Sequence, residues 1–271
     1  MESARPIRAL TRGLDALTAL NTRDGATVSE VAQEIRLPRT TVYRILETLC
    51  DAGFVFRDAA DERYRLTIRV RGLSQGFNDD AWMSQSARSL IFELCREIVW
   101  PISIATVSGA AMLVRETTDH ITPLAIDRSS AGAEAPLLTT AAGRAYLAFC
   151  PAAERDGLID VLARSNKEDD KLARAPRDEL QLTLSDIKRQ GYAAVTRTRR
   201  LVDEVSLGVP VIASDRVIAV ITVRFPSSAM PLQTAVERFL PKLRQCAAKI
   251  SGSFLEHQAA AKAKSAPEAA V

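Results

Sequence analysis

The stretch LPRTTVYRILETLCDAGFVFR, residues 37–57, constrains the fold of this chain more than any other part of its sequence. If a helix begins near Arg39, four apolar residues recur at the spacing of one helical face: Val42, Ile45, Leu46 and Leu49. Four polar residues follow the opposite face: Thr40, Tyr43, Arg44 and Glu47. A helix this short does not need such a stripe for solubility, so the pattern predicts a helix that packs with one side and reads a polar partner with the other.

Two more helices are predicted before this one. Apolar residues repeat at helical spacing from the start of the chain, at Ile7, Leu10, Leu14, Leu17 and Leu20, and the polar run 21–25 ends that helix. Thr27 followed by Glu30 has the spacing of a capping box, which places the start of a second helix there. Pro38 then favours a tight joint and a new helix start, because proline restricts the residue before it and suits the first helical turn.

The segment after the third helix reads as a small hairpin. Gly53 can adopt the left-handed conformation that closes a helix, and the strand-like pieces FVFR and RYRLT follow it, separated by DAADE. Three short helices followed by a hairpin indicate a winged helix-turn-helix, which we assign to residues 1–68.

A winged helix-turn-helix aims the first turns of its third helix at the major groove of DNA, where arginine grips guanine and hydroxyls hold phosphates. The residues predicted to contact DNA from those turns are Arg39, Thr40, Thr41, Tyr43 and Arg44. From the hairpin, three arginines are predicted to reach the backbone or the minor groove: Arg57, Arg63 and Arg65. The alternative is a helical module of the same shape that recruits a protein partner and whose arginines are merely solvated.

Composition narrows the classes of protein. The net charge of +3 permits a polyanionic partner, and 271 residues with 47% hydrophobic content favour two domains. The four cysteines are widely separated and form no metal-binding pair, so we expect no metal and no cofactor. No apolar run has the length of a membrane span and the first residues do not read as a signal peptide, so a cytoplasmic protein without membrane contact is expected.

The rest of the chain predicts an α+β organisation. Residues 69–100 are expected to form a linker with a connecting helix over 81–99, and residues 258–271 a disordered tail. Between them, residues 101–257 predict a mixed, largely antiparallel sheet with packed helices. Residues 101–126 read as successive strands with a Ser-Gly turn between the first two, and further strands are expected near 192–196, 204–212 and 216–224. Helices are expected near 140–149, 152–164, 176–190 and 232–256. Pro241 is expected to kink that last helix or to split its first turns from the rest.

The sequence also resembles the IclR family of bacterial transcription regulators over nearly its whole length. LPRTTVYRILETLCDAGFV is similar to the recognition helix and the start of the wing in that family, and APLLTTAAGRAYLAF to its pocket loop and helix. QGYAAV followed by SLGVPV resembles a second family motif, and REIVWP, VRETT, LAFCP and SSAM look like activators of hydroxyphenylpropionate catabolism. The resemblance implies a GAF-like effector domain, a homodimer or tetramer, and a small aromatic or organic acid as effector.

The resemblance also implies a pocket in the second domain. The segments similar to the family's pocket supply the candidate effector-binding residues Leu138, Thr139, Ala141 and Gly143. Neighbouring strands add Ser206 and Thr222, and Arg224 at the end of its strand is a candidate counter-ion. Backbone N–H groups at the helix start near 140–143 could receive a carboxylate. The alternatives are that Ser206 and Thr222 are ordinary strand residues and that Arg224 is a solvated strand end, the reading that we prefer for Arg224. The chain departs from the family after QGY, where residues 196–200 are basic rather than acidic, so we expect a basic loop there.

A hydrolase is the remaining alternative, because GLSQG at residues 72–76 matches a G-x-S-x-G nucleophile motif around Ser74. The motif requires a strand, a sharp turn and a helix in a parallel sheet, with a histidine that follows the catalytic acid along the chain. Ser74 instead follows the predicted wing and precedes the linker. The two histidines are His120, expected to be exposed in a turn beside Asp119, and His257 in the last helix. We therefore expect that the chain is not an enzyme but a ligand-responsive, DNA-binding regulator of a catabolic operon.

Overall fold

The computed structural model describes residues 7–21, 23–73, 82–125, 128–175, 177–198 and 203–265. The chain divides into two compact units, with the division between Asn78 and Asp79. Within the described ranges, no helix has the length and apolarity needed to cross a membrane.

The first unit contains three helices and a hairpin in the predicted order: α1 (Arg8–Asn21), α2 (Val28–Glu34), α3 (Arg39–Asp51), β1 (Val55–Arg57) and β2 (Tyr64–Leu66). The two strands pair antiparallel, with Phe56 opposite Arg65. Thr27 and Glu30 form the predicted capping box at the start of α2, and Gly53 follows α3 with a φ of +76°. The sequence prediction of this unit is therefore confirmed at the level of its elements.

The core of the first unit lies between the three helices and the hairpin. Val42 and Leu46 of α3 are fully buried with Leu20 of α1 and Tyr64 of β2. The predicted apolar stripe of α1 does not behave as one face, because Leu20 is buried while Leu10 and Leu14 are more than half exposed.

The connection differs from the predicted helix over 81–99. A short helix α4 (Arg69–Gly72) follows the hairpin, and the connecting helix begins with a π-helical turn (Trp82–Ala87) before the α-helix α5 (Arg88–Ile98). α5 ends at Val99, whose backbone is left-handed with a φ of +69°, just before Pro101. Ser74, the serine of the hydrolase alternative, lies outside the described residues.

The second unit is built on a six-stranded sheet in the order β5-β4-β3-β8-β7-β6. Its strands are β3 (Ile102–Ser108), β4 (Ala111–Thr117), β5 (Glu134–Pro136), β6 (Ala193–Thr198), β7 (Asp203–Ala213) and β8 (Arg216–Pro226). The described strands pair antiparallel throughout, so the parallel pairing that a mixed sheet requires is not found among them. Ser214 and Asp215, both with positive φ, form the two-residue turn between β7 and β8.

Helices cover both faces of this sheet. α5 and α9 (Leu232–Ser265) pack on one face, against alternate residues of β7 and β8 such as Leu207 and Ile221. α6 (Ala141–Phe149), α7 (Ala152–Ala163) and α8 (Arg177–Gln190) pack on the other. The α+β architecture, with an antiparallel sheet between helices, agrees with the predicted GAF-like domain.

Five details of the second unit differ from the sequence prediction. Strand β5 and a 3-10 helix (Glu168–Arg174) were not predicted, because both are short and held by neighbours rather than by an amphipathic pattern. Of the two expectations for Pro241, a kink or a split, the split is wrong, since α9 continues through Pro241. The helix also extends past the predicted end at residue 256 to Ser265. Residues 196–198 belong to β6 rather than to a basic loop, while Arg199 and Arg200 lie outside the described residues.

Candidate nucleic-acid interface and effector site

The start of α3 presents the predicted contact residues to solvent. Pro38 caps the helix, and Arg39, Thr40 and Arg44 in its first two turns are exposed. Tyr43 is 46% exposed, and Thr41 is half-buried. Thr40, Thr41 and Arg44 line a groove of about 460 Å³ between α1 and α3, together with Arg12.

Glu47 completes the polar stripe of α3 but points to the wing, which is the hairpin formed by β1 and β2. Its Oε1 accepts a 2.7 Å hydrogen bond from the hydroxyl of Tyr64, whose side chain is buried in the core of the unit. Burial and this bond to a carboxylate together raise the pKa of Tyr64 above its ordinary value. The stripe therefore divides into an exposed part at the start of the helix and a structural part at Glu47.

The three arginines of the hairpin have carboxylate partners within the first unit. Arg57 is exposed and forms an ion pair with Glu62. Arg63 donates from Nη1 to Gly25 O and to Glu30 Oε2, each at 3.1 Å. The structure thus leaves Arg57 exposed at the wing, and Arg63 holds the wing to the start of α2.

Arg65 organises the hairpin turn. Its Nη1 donates to Asp58 at 2.7 Å and its Nη2 to Asp61 at 2.7 Å, and its Nε lies 3.8 Å from Asp24. The hydrogen bond from Arg65 lowers the pKa of Asp61 to about 2. Arg65 therefore fixes the conformation of the wing, a role that its spacing in the sequence did not reveal.

The second candidate site lies on the α6 side of the sheet. Strand register places Ser103 opposite both Thr117 and Thr222, and Ser206 opposite Arg224. Residues directly opposite on paired strands share a face of the sheet. A row of hydroxyl groups and one guanidinium therefore crosses the face where α6 packs.

Arg224 is the charged centre of this face. Its side chain is 10% exposed, and Nη2 donates to Oδ1 and Oδ2 of Asp119, each at 2.5 Å. Glu204 Oε2 lies 3.6 Å from Nη1 and is 8% exposed. The preferred reading of Arg224 as a solvated strand end is wrong: its position alternates with Val223 and Phe225 on β8, which turns the guanidinium toward the covered face.

Asp119 lies two residues after the end of β4 and is 1% exposed. Its Oδ1 accepts from Thr117 Oγ1 at 2.5 Å, and its Oδ2 accepts from the backbone N–H of Ser129 at 2.6 Å. The neighbouring His120 is exposed, as predicted, and its ring lies 5.5 Å from that of Phe92. Neither Asp119 nor Glu204 was predicted to belong to this site. The alternation of Glu204 and Ser206 with Val205 and Leu207 is the signal that places Glu204 on the polar face.

The N-terminus of α6 sits close to the sheet beside this polar face. Thr140 caps the helix and accepts a hydrogen bond from Gly143 N at 3.1 Å. A Cβ on Gly143 would lie 2.3 Å from the backbone of Leu137, and one on Gly208 would lie 2.8 Å from Ala141 O. Gly143 thus allows the loop at Leu137 to lie against α6, and Gly208 allows α6 to approach β7, so that Ala141 lies against the residue opposite Thr222.

The remaining predicted pocket residues have other surroundings. Leu138 is fully buried in the core under α6. Thr139 donates to Asp169 Oδ1 at 2.8 Å, and Arg197 lies 3.6 Å from the same oxygen. Of the predicted set, the structure thus brings Ala141, Ser206, Thr222 and Arg224 to one region, whereas Leu138 and Gly143 serve the packing of α6. Among the residues that the structure describes, no cluster of histidine, cysteine, aspartate or glutamate has the composition of a metal site.

The first unit is a helix-turn-helix DNA-binding domain, and the second is a sheet domain with a buried charged site. Residues 9–59 match the family described as the IclR helix-turn-helix domain, and residues 79–252 match the bacterial transcriptional regulator IclR C-terminal domain. The chain belongs to the IclR family, and it is a DNA-binding transcriptional regulator.

Individual relatives agree with this assignment. The chain is 27% identical over 250 residues to the probable transcriptional regulator SauR of Cupriavidus necator, covering 92% of this chain and 97% of that protein. It is 24% identical over 245 residues to the transcriptional regulator KdgR of Escherichia coli, covering 89% and 90% of the two chains. These relatives are regulators rather than enzymes.

A solved structure supports the fold. An IclR homolog from Microbacterium hydrocarbonoxydans, complexed with 4-hydroxybenzoate, superposes with a TM-score of 0.58 at 20% identity. The match covers 92% of this chain and 99% of that one. The likeness establishes a shared fold.

Proposed function

We propose that this protein is a cytoplasmic, ligand-responsive regulator of a catabolic operon, with a small aromatic or organic acid as its effector. It acts as a homodimer or tetramer, so that two α3 helices reach neighbouring half-sites on one duplex. Effector binding in the second unit shifts the equilibrium between assemblies or arrangements that bind the operator differently.

The DNA contacts that we propose are the side chains exposed at the start of α3. Arg39, Thr40, Tyr43 and Arg44 share one accessible face, while Val42 on the opposite face is fully buried. This division of one helix is the observation that carries the DNA-binding proposal. Thr41 lies at the edge of the face, and Arg57 of the wing is placed to contact the backbone.

The effector site that we propose is the polar face around Arg224, Ser206 and Thr222. A guanidinium inside a domain favours a ligand with a carboxylate, because it provides charge and directional donors together. The 4-hydroxybenzoate bound by a relative of the same fold makes an aromatic acid a reasonable first probe. The segments similar to activators of hydroxyphenylpropionate catabolism support the same class of ligand.

The test combines two measurements on the full chain. A mobility-shift titration with the upstream region of its own gene, against a scrambled duplex, is expected to show a retarded complex on the first duplex at lower protein concentration. Aromatic acids, including 4-hydroxybenzoate and 3-hydroxyphenylpropionate, are then expected to raise the melting temperature and change the operator affinity, whereas their amides are not. A retarded complex with neither duplex would contradict the proposal and favour a protein partner.

A further inference from the structure

The charged side chains around Arg224 form a carboxylate-binding site that already contains a carboxylate. Both carboxylate oxygens of Asp119 accept hydrogen bonds from Arg224 Nη2. Oδ1 also accepts from Thr117 Oγ1, and Oδ2 accepts from the backbone N–H of Ser129. A guanidinium, a hydroxyl and a backbone N–H are the donors that a small acid would need. The side chain of Asp119 is only 2% exposed, so protein donors replace the water that it would otherwise bind.

The hydrogen bonds between Asp119 and Arg224 are not in the strongest geometry that a carboxylate can adopt on a guanidinium. Both oxygens of Asp119 are bound by the same nitrogen, Nη2. An unconstrained carboxylate instead faces a guanidinium with two parallel bonds from two nitrogens, which is the stronger arrangement. Asp119 is attached to the backbone just after β4, so it lacks the freedom that a separate small molecule has.

Charge makes simple addition of an acid unfavourable. Arg224 already faces two buried carboxylates, those of Asp119 and Glu204. A third negative group beside one guanidinium would remain uncompensated in a region of low polarity. Replacement of Asp119 by the incoming carboxylate, with Glu204 unchanged, leaves the net charge of the site the same.

We propose that Asp119 is an internal stand-in for the effector, and that an acid binds by exchanging with Asp119 on Arg224. This inference rests on the proposed function only in taking the effector to be an acid. When Asp119 leaves Arg224, the backbone N–H of Ser129 loses its hydrogen-bond acceptor. Binding of the acid is therefore transmitted to the segment that carries Ser129. Asp119 thereby sets both the affinity for the effector and the conformation of the unoccupied state.

The test removes the internal carboxylate and supplies an external one. Asp119→Ala opens a space of carboxylate size beside Arg224, and acetate carries the required group and little else. At constant ionic strength, 100 mM acetate in place of chloride is expected to raise the melting temperature of this variant by about 3 °C or more. The wild-type protein, in which Asp119 competes, is expected to shift by less than half of that amount.

Asp170→Ala is the matched control, because Asp170 is also a buried aspartate of the second unit but lies in the 3-10 helix. Acetate should not stabilise it beyond the wild-type shift. If Asp119→Ala does not fold, Asp119→Asn preserves the shape and removes the charge, and it should show the same order of acetate shifts. Equal shifts in the Asp119 variant, the wild type and the control would overturn the inference.

Failure of this inference can be distinguished from failure of the proposed function. If an aromatic acid changes operator affinity but Asp119→Asn does not bind that acid more tightly, the exchange is wrong and the acid-responsive regulator stands. If acetate rescues Asp119→Ala while no acid alters operator binding, the exchange site stands and the proposed response is wrong.

Discussion

The hydroxyl of Tyr64 in the wing donates a 2.7 Å hydrogen bond to Glu47 of the recognition helix α3. Tyr64 is 1% exposed, so its ring belongs to the core while its hydroxyl reaches the polar stripe of α3. This bond fixes the wing relative to the helix that we propose to enter the major groove. It also explains why Glu47 lies on that stripe.

Tyr64→Phe tests this connection. The variant retains the buried ring and loses the hydroxyl, so the free energy of unfolding of the first unit should fall by about 1–2 kcal/mol. Denaturant titration followed by circular dichroism measures the change. Tyr43→Phe is the control, because Tyr43 is exposed and its variant should unfold at the wild-type denaturant concentration; equal losses in both variants would contradict the assigned role of Tyr64.

Arg44→Ala is expected to weaken operator binding without loss of fold. If Arg44 contacts a base edge, the binding free energy at the cognate site should fall by about 1–3 kcal/mol. If it contacts a phosphate, the slope of the logarithm of the binding constant against the logarithm of the salt concentration should become smaller in magnitude by about one. Fluorescence anisotropy over a salt series separates the two. Arg189→Ala removes the same charge from an exposed position of α8, where its partner is Asp186. Affinities that fall equally in both variants would indicate a general charge effect.

Gly143→Ala is expected to destabilise the second unit strongly. The new Cβ would lie 2.3 Å from backbone atoms of Leu137, which cannot move away as a flexible side chain can. The loss in unfolding free energy should reach or exceed the roughly 1–3 kcal/mol typical of overpacking. Gly157→Ala in α7 is the matched control, since its Cβ meets nothing within 4 Å, and a gain of about 0.5–1 kcal/mol is expected there. A stable Gly143→Ala protein would show that α6 is not held as closely as the structure has it.

The stability that Asp61 contributes to the hairpin turn should change with pH only under acidic conditions. The pKa of Asp61 is lowered to about 2, chiefly by the hydrogen bond from Arg65, from an ordinary value of 3.8. A lowered pKa contributes stability above the unfolded value, and that contribution is lost as the pH falls from about 4 through about 2. Melting temperatures between pH 5 and pH 2 should therefore fall less steeply in Asp61→Asn than in the wild type. Asp24→Asn, at a carboxyl that is 95% exposed, should follow the wild-type curve.

The four thiols should differ in reactivity. Burial raises the pKa of Cys150 to about 11 and that of Cys246 to about 12, and Cys95 is buried with a raised pKa as well. Cys50 is only half-buried, so it should react first with a disulfide reagent at pH 8, although burial also raises its pKa. Cys50→Ser should lose the fast phase, and the other three thiols should react only as the protein unfolds. A fast phase that survives in Cys50→Ser would contradict this order.

The elements of the first unit were predictable because each depends on neighbours in sequence. A capping box, a proline joint and a glycine stop act over three or four residues, and the apolar face of α3 repeats with the helical period. The roles of individual arginines were harder to predict from the sequence. Arg57, Arg63 and Arg65 look alike in the sequence, and their carboxylate partners, such as Asp24 for Arg65, lie up to 41 residues away.

The sequence by itself determined the order of the helices and strands of the first unit, the exposed face of α3 and the family to which the chain belongs, since these follow from local periodicity and contiguous motifs. The tertiary structure alone decided that Arg224 is buried and that Asp119, 105 residues distant along the chain, binds it. The cause is the cost of burying a charge, which is met only when strand pairing and helix packing bring an opposite charge to the same place.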